Sequence, residues 1–70
     1  MGAVQPLASP AGLRDALVLG AVTHTWTGEF AIAREVGLTV GVTRVSLTRL
    51  FEAGRVQRRP AVNGTEWKRQ

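Results

Sequence analysis

The sequence predicts an α+β domain of three helices with a small antiparallel sheet, most of it a C-terminal hairpin. Three observations carry this expectation. Apolar residues recur at helical spacing in three segments bounded by capping residues. The turn signal Asn63-Gly64 stands between two strand-like runs. The chain has 70 residues and no Cys, so it has room for one domain held by apolar packing rather than by disulfides or thiolate metal sites. A hydrophobic share of 44%, with two Trp and two Phe, is enough to build that core and argues against disorder.

Each element has a local reason. Residues 1–9 read as a flexible N-terminal arm, and 10–70 as a single domain. Ser9-Pro10 pairs an N-cap hydroxyl with a proline suited to the first helical position, opening a helix over about 10–22. Leu13, Ala16, Leu17, Gly20 and Ala21 follow the spacing of a buried stripe on it. Thr23–Thr27 is β-rich, and a stub strand near 24–26 would turn Trp26 inward. Thr27 is placed to cap a second helix over about 28–36, with Glu29 in the first turn, where the helix dipole favours a carboxylate. Gly37 ends it in a left-handed conformation.

Thr39 then caps a third helix over about 40–53, ended by Gly54. Val40, Gly41, Val42, Thr43 and Val45 are poor helix formers, and 38–43 alone would pass for a strand. The spacing of Thr43, Leu47, Leu50 and Gly54 decides for helix. In the hairpin 55–69, a turn at Asn63-Gly64 would set Val62 opposite Thr65, Pro60 opposite Trp67 and Arg58 opposite Arg69. Val56 and Trp67 would share the packed face, with Arg59 and Lys68 on the other.

Charge is distributed unevenly. Through residue 54, Arg14, Arg34, Arg44 and Arg49 balance Asp15, Glu29, Glu35 and Glu52. Beyond it, Arg55, Arg58, Arg59, Lys68 and Arg69 face only Glu66, so the whole net charge of +4 lies in the hairpin. A basic segment on a neutral body suggests a surface for a polyanion. The first 12 residues lack a basic leader region, and the apolar run Ala16–Val22 is too short to span a bilayer. A cytoplasmic protein without a membrane partner is the expectation.

The order of elements, together with Ile32-Ala33, Val36-Gly37-Leu38-Thr39, Leu47, Leu50, Glu52-Ala53-Gly54-Arg55-Val56 and Arg58-Arg59, resembles the winged helix-turn-helix superfamily from Thr27 to Arg59. The resemblance implies a winged-helix fold in which the helix over about 40–53 enters the DNA major groove. The wing 55–69 would then touch the neighbouring backbone or minor groove. The residues so implicated are Thr39, Gly41, Arg44, Val45 and Thr48 on the helix, and Arg58, Arg59, Asn63, Lys68 and Arg69 on the wing.

The outward helix face departs from the polar pattern usual in DNA-binding members. Arg44 is its one natural base reader, by two hydrogen bonds to guanine. Thr48 offers a further contact, Val45 an apolar touch to thymine, and Gly41 close approach to a phosphate. Each assignment competes with a plainer one. Arg44 would serve equally as a solubilising residue, the wing cations as charges that keep an edge strand from aggregating, and Asn63-Gly64 as a simple turn. Trp26 and Trp67 read as core anchors, and His24 as a solvent-facing loop residue.

One His, no Cys and five scattered acids supply neither a zinc site nor a nucleophile–base pair, and no glycine pattern forms a phosphate loop. No enzyme activity, metal or cofactor is expected. The leading expectation is a DNA-binding protein for double-stranded DNA, a transcription regulator or recombination accessory factor of bacterial or phage type, acting as a monomer or weak homodimer. The alternative is a protein-interaction module docking a partner through Val40, Val45 and their neighbours. RNA or a nucleic-acid end is a third polyanion that the wing charge would suit.

Overall fold

The computed structural model describes residues 10–70, so the expected arm over 1–9 lies outside the described residues. The fold is α+β, with α1 at Pro10–Ala21, β1 at Thr27–Gly28, α2 at Glu29–Val36, α3 at Val40–Glu52, β2 at Val56–Ala61 and β3 at Gly64–Arg69. The strands form one antiparallel sheet in the order β1-β3-β2, a layout consistent with a winged helix. Among the described residues no helix is long and apolar enough to cross a membrane.

The α2–α3 connection follows local chemistry. Gly37 adopts φ 75°, a left-handed conformation that would strain a residue with a Cβ, and its N–H donates to the Ala33 carbonyl at 2.9 Å. The Leu38 N–H reaches the same carbonyl at 3.1 Å. Thr39 is the N-cap of α3, its Oγ1 accepting from the Val42 N–H at 3.2 Å. The end of α3 closes in a Schellman motif, Arg55 N–H to the Leu50 carbonyl and Gly54 N–H to that of Phe51. The poor helix formers of α3 are therefore fixed at both ends.

The core joins Val18 of α1 and Val22 just past its end, Ile32 of α2, Leu47 and Leu50 of α3, Val56 of β2 and Trp67 of β3. Leu19, Ala21, Val36, Leu38 and Phe51 pack around it, half-buried. This corrects the expected face of α1. Leu13 and Leu17 are 54% and 58% exposed, and Ala16 and Gly20 lie beside them in solvent. The helix is apolar nearly all round from Ala16 onward, so periodicity alone left its rotation open. Packing chose the two valines four residues apart.

Two further expectations change. The strand placed near 24–26 lies at Thr27–Gly28, pairing with Trp67 and Glu66. The preceding residues form a bend held by hydroxyls: the Thr25 N–H donates to Thr23 Oγ1 at 3.2 Å, and Thr27 Oγ1 donates to the Thr25 carbonyl at 2.9 Å. Thr27 thus spends its hydroxyl upstream, and Gly28 is the N-cap of α2 without a side-chain bond.

The hairpin register is shifted by two residues. Ala61 pairs with Gly64, Pro60 with Thr65, Arg58 with Trp67 and Val56 with Arg69, leaving Val62-Asn63 as the turn. A type I′ turn centred on Asn63-Gly64 would need positive φ at both, and only Gly64 has it, at 125°. Gly64 also lies against α2, where a Cβ would stand 3.4 Å from Glu29 Oε2. Because the shift is even, every side chain keeps its expected face. Val56 and Trp67 still point into the core, and Trp67 is 2% exposed.

Candidate nucleic-acid interface

The outward side of α3 carries Gly41, Arg44 and Val45, all exposed, with Thr48 half-buried beside them. Arg44 does not stand alone. Its Nε donates to Glu29 Oε1 at 3.2 Å and its Nη2 to Oε2 at 2.6 Å. Glu29 is 4% exposed, so the arginine is the counter-charge of a buried carboxylate at the start of α2. The hydrogen bonds from Arg44, and then the nearby negative charge, raise the guanidinium pKa further above its usual value. Thr48 Oγ1 donates to the Arg44 carbonyl at 2.9 Å, one turn back on the same helix.

A second fork lies on the α1 flank of α3. Arg49 donates through Nε and Nη2 to the two oxygens of Asp15, at 2.9 and 2.7 Å. These hydrogen bonds hold the Asp15 carboxyl below its ordinary pKa, against the opposing effect of partial burial. Arg49 therefore ties α3 to α1.

The wing cations divide by face. On the inner face, the Arg58 guanidinium stacks 4.0 Å from the centroid of Phe51, beside the end of α3. On the outer face, Arg59 lies 4.4 Å from the Trp26 ring and donates to Glu66 Oε1 at 2.9 Å, and Lys68 stands 5.2 Å from the same ring. Trp26, expected in the core, is instead a half-buried plate under two cations. The bend over 23–26 lifts it onto the outer face of the sheet. Asn63 is exposed at the wing tip beside a fully exposed Val62.

Arg69 faces the other way. Its Nε donates to the Val22 carbonyl and its Nη2 to the Leu19 carbonyl, both at 2.8 Å, so it closes the end of α1 rather than projecting from the wing. The structure thus gathers Gly41, Arg44, Val45 and Thr48 on one helix face. Thr39 sits at the start of that helix as its cap, Arg58 at its end, and Arg59 with Lys68 on the sheet.

Sequence reasoning valued Glu29 only for the helix dipole and missed its partnership with Arg44, 15 residues away. No local spacing could have shown it, since the pair is made by the α2–α3 packing. The even register of the hairpin was the available signal for the wing, and it sorted the cations between faces correctly. Comparison with known proteins adds no relative: no protein-family model matches the chain, and neither a curated protein nor a solved structure does.

Proposed function

We propose that this chain is a non-catalytic binding domain for double-stranded DNA, serving a transcription regulator or a recombination accessory factor. In this reading α3 enters the major groove and the wing grips the backbone or the minor groove beside it. The observation that carries it is the location of charge: the net +4 lies wholly in 55–70, and Arg58, Arg59 and Lys68 stand on the hairpin that continues from α3. A cation stacked on an aromatic ring does not spend its N–H groups on the ring. Arg58 and Lys68, and the Nη groups of Arg59 beyond its Nε bond to Glu66, can therefore turn to phosphate oxygens. Arg44 and Thr48 supply polar contacts on the helix itself.

With Arg69 tied to α1, three to four phosphate contacts remain from Arg55, Arg58, Arg59 and Lys68. That number corresponds to a log–log salt slope of about −2.7 to −3.6. The test is a titration of labelled random duplex against the protein at two salt concentrations. Affinity that falls along this slope supports the reading, and a complex indifferent to salt overturns it.

A second reading rests on the plain character of the helix face. Val45 is 54% and Val42 38% exposed, so α3 also offers an apolar strip to a protein partner. Here Val45→Glu would abolish capture of the partner while Arg58→Ala and Arg59→Ala would leave it unchanged.

A further inference from the structure

We infer that Glu29 is a positioning residue that aims Arg44 at guanine, making the pair the sequence-reading device of the domain; this rests on the DNA-binding reading above. A guanidinium carries five N–H donors in a plane. The fork to Glu29 uses Nε–H and one hydrogen of Nη2. The remaining donors, two on Nη1 and one on Nη2, leave the opposite end of the plane as a second fork. Arg44 keeps 55% of its side-chain surface exposed, whereas the Glu29 side chain keeps 5%. One end of the guanidinium is thus anchored in the protein and the other is presented to solvent from the outward face of α3.

A free end fork matches two acceptors side by side. In the major groove guanine offers that pair as N7 and O6, while adenine puts a donor beside its N7. An unbraced arginine samples many rotamers and can settle on any phosphate, so it adds affinity without discrimination. The carboxylate removes that freedom before DNA arrives. It also lowers the positive charge available to phosphates at this point, which moves the role of Arg44 from grip to reading.

The brace is itself held in place. Glu29 opens α2, is almost fully buried, and lies against Gly64 at the start of β3, where a Cβ would stand 3.4 Å from Oε2. The first turn of α2, the reading face of α3 and the wing therefore meet at one carboxylate. Val45 and Gly41, on either side of Arg44, are small or apolar and offer no competing partner for its free end.

The test selects ligands from a randomised duplex library with the wild-type protein, Glu29→Gln and Arg59→Gln. The best duplex is then titrated against versions in which each guanine is replaced in turn by 7-deazaguanine or adenine. The wild type is expected to prefer guanine at one position by about tenfold or more. Glu29→Gln, with one acceptor left and an amide facing the guanidinium, should reduce that ratio to below about threefold. Its affinity for random duplex should hold or rise, because a negative charge has been removed. Arg59→Gln should weaken all duplexes in parallel and keep the ratio.

A carboxylate with a merely structural role would lower every affinity together, and that outcome overturns the inference. So does a guanine preference that survives in Glu29→Gln, or a wild type that binds duplexes with no guanine preference. Failure to bind any duplex overturns the DNA-binding reading as well. If Glu29→Gln does not fold, Glu29→Asp replaces it, keeping the charge but drawing the carboxylate back from the guanidinium by one methylene. Loss of the guanine ratio with duplex binding intact then supports the inference, and retention of the ratio overturns it.

Discussion

Arg69 belongs to the basic wing by sequence and to the end of α1 by contact, and its replacement separates the two roles. Helix α1 has no basic residue in its last turn, so its C-terminal carbonyls depend on what the rest of the fold brings to them. The guanidinium supplies two hydrogen bonds at 2.8 Å, to Leu19 and Val22, and the Arg69 N–H adds one to the Thr23 carbonyl. Hydrogen bonds to a charged group contribute about 1.5–3 kcal/mol each when well shielded. Arg69 is only half-buried, so screening reduces the two side-chain bonds and the dipole interaction to about 2–3 kcal/mol together.

Arg69→Met keeps the apolar stem and removes the donors. At about 4–8 °C per kcal/mol for a domain of this size, its melting temperature should fall by about 10–20 °C. Arg69→Lys keeps the charge but cannot span both carbonyls, so it should lose roughly half as much. Thermal and urea denaturation followed by far-UV circular dichroism measure both. The salt slope of duplex binding by the folded Lys variant should match the wild type. A melting shift of less than about 3 °C for Arg69→Met would refute the capping argument. So would Arg69→Gln binding duplex with a slope shallower by about 0.9, the signature of a lost phosphate contact.

Adjacent positions on α1 should respond in opposite ways: Leu17→Gln is expected to change stability by less than about 0.5 kcal/mol, and Val18→Ala to cost about 2 kcal/mol, in urea titrations. Trp67→Ala should cost about 3–5 kcal/mol, against about 4–10 kcal/mol for a whole domain of this length. The variant should keep less than about half of its stability, visible as a much lower urea midpoint. Asp15 has a carboxyl pKa lowered in the fold by hydrogen bonds from Arg49, so its stabilisation is present above the unfolded value of about 3.9 and is lost as pH falls through the folded value. Asp15→Asn should therefore reduce stability at neutral pH and flatten the acid limb of a melting-temperature profile. Exposure of Arg49 keeps that effect below about 1 kcal/mol.

How much could be read in advance depended on the range of each interaction. Gly37, Thr39 and Gly54 act on backbone groups a few residues away, and their signals survive without any knowledge of the fold. The alternation of Val56, Arg58 and Pro60 with Gln57 and Arg59 carried the two faces of the wing through a two-residue error in register, because an even shift preserves facing. The strand near 24–26 failed for a local reason, since threonine hydroxyls bonded the backbone into a bend before it could pair.

The rotation of α1 and the partners of Arg44, Arg49 and Arg69 failed for a different reason. An all-round apolar helix has no unique buried stripe, and charges 15, 34 and 47 residues from their partners meet only through packing.

The chain's local chemistry was thus sufficient for the α+β class, the turn between α2 and α3 and both ends of α3, the Trp67 anchor and the concentration of charge in the wing. It could not say which cations are available. Folding commits Arg69 to helix carbonyls, Arg49 to Asp15, one edge of Arg44 to Glu29 and the Nε of Arg59 to Glu66, while Arg58 and Lys68 meet only the faces of aromatic rings. Charge is a property of residues, but its availability depends on which neighbours the three-dimensional packing brings within hydrogen-bond reach.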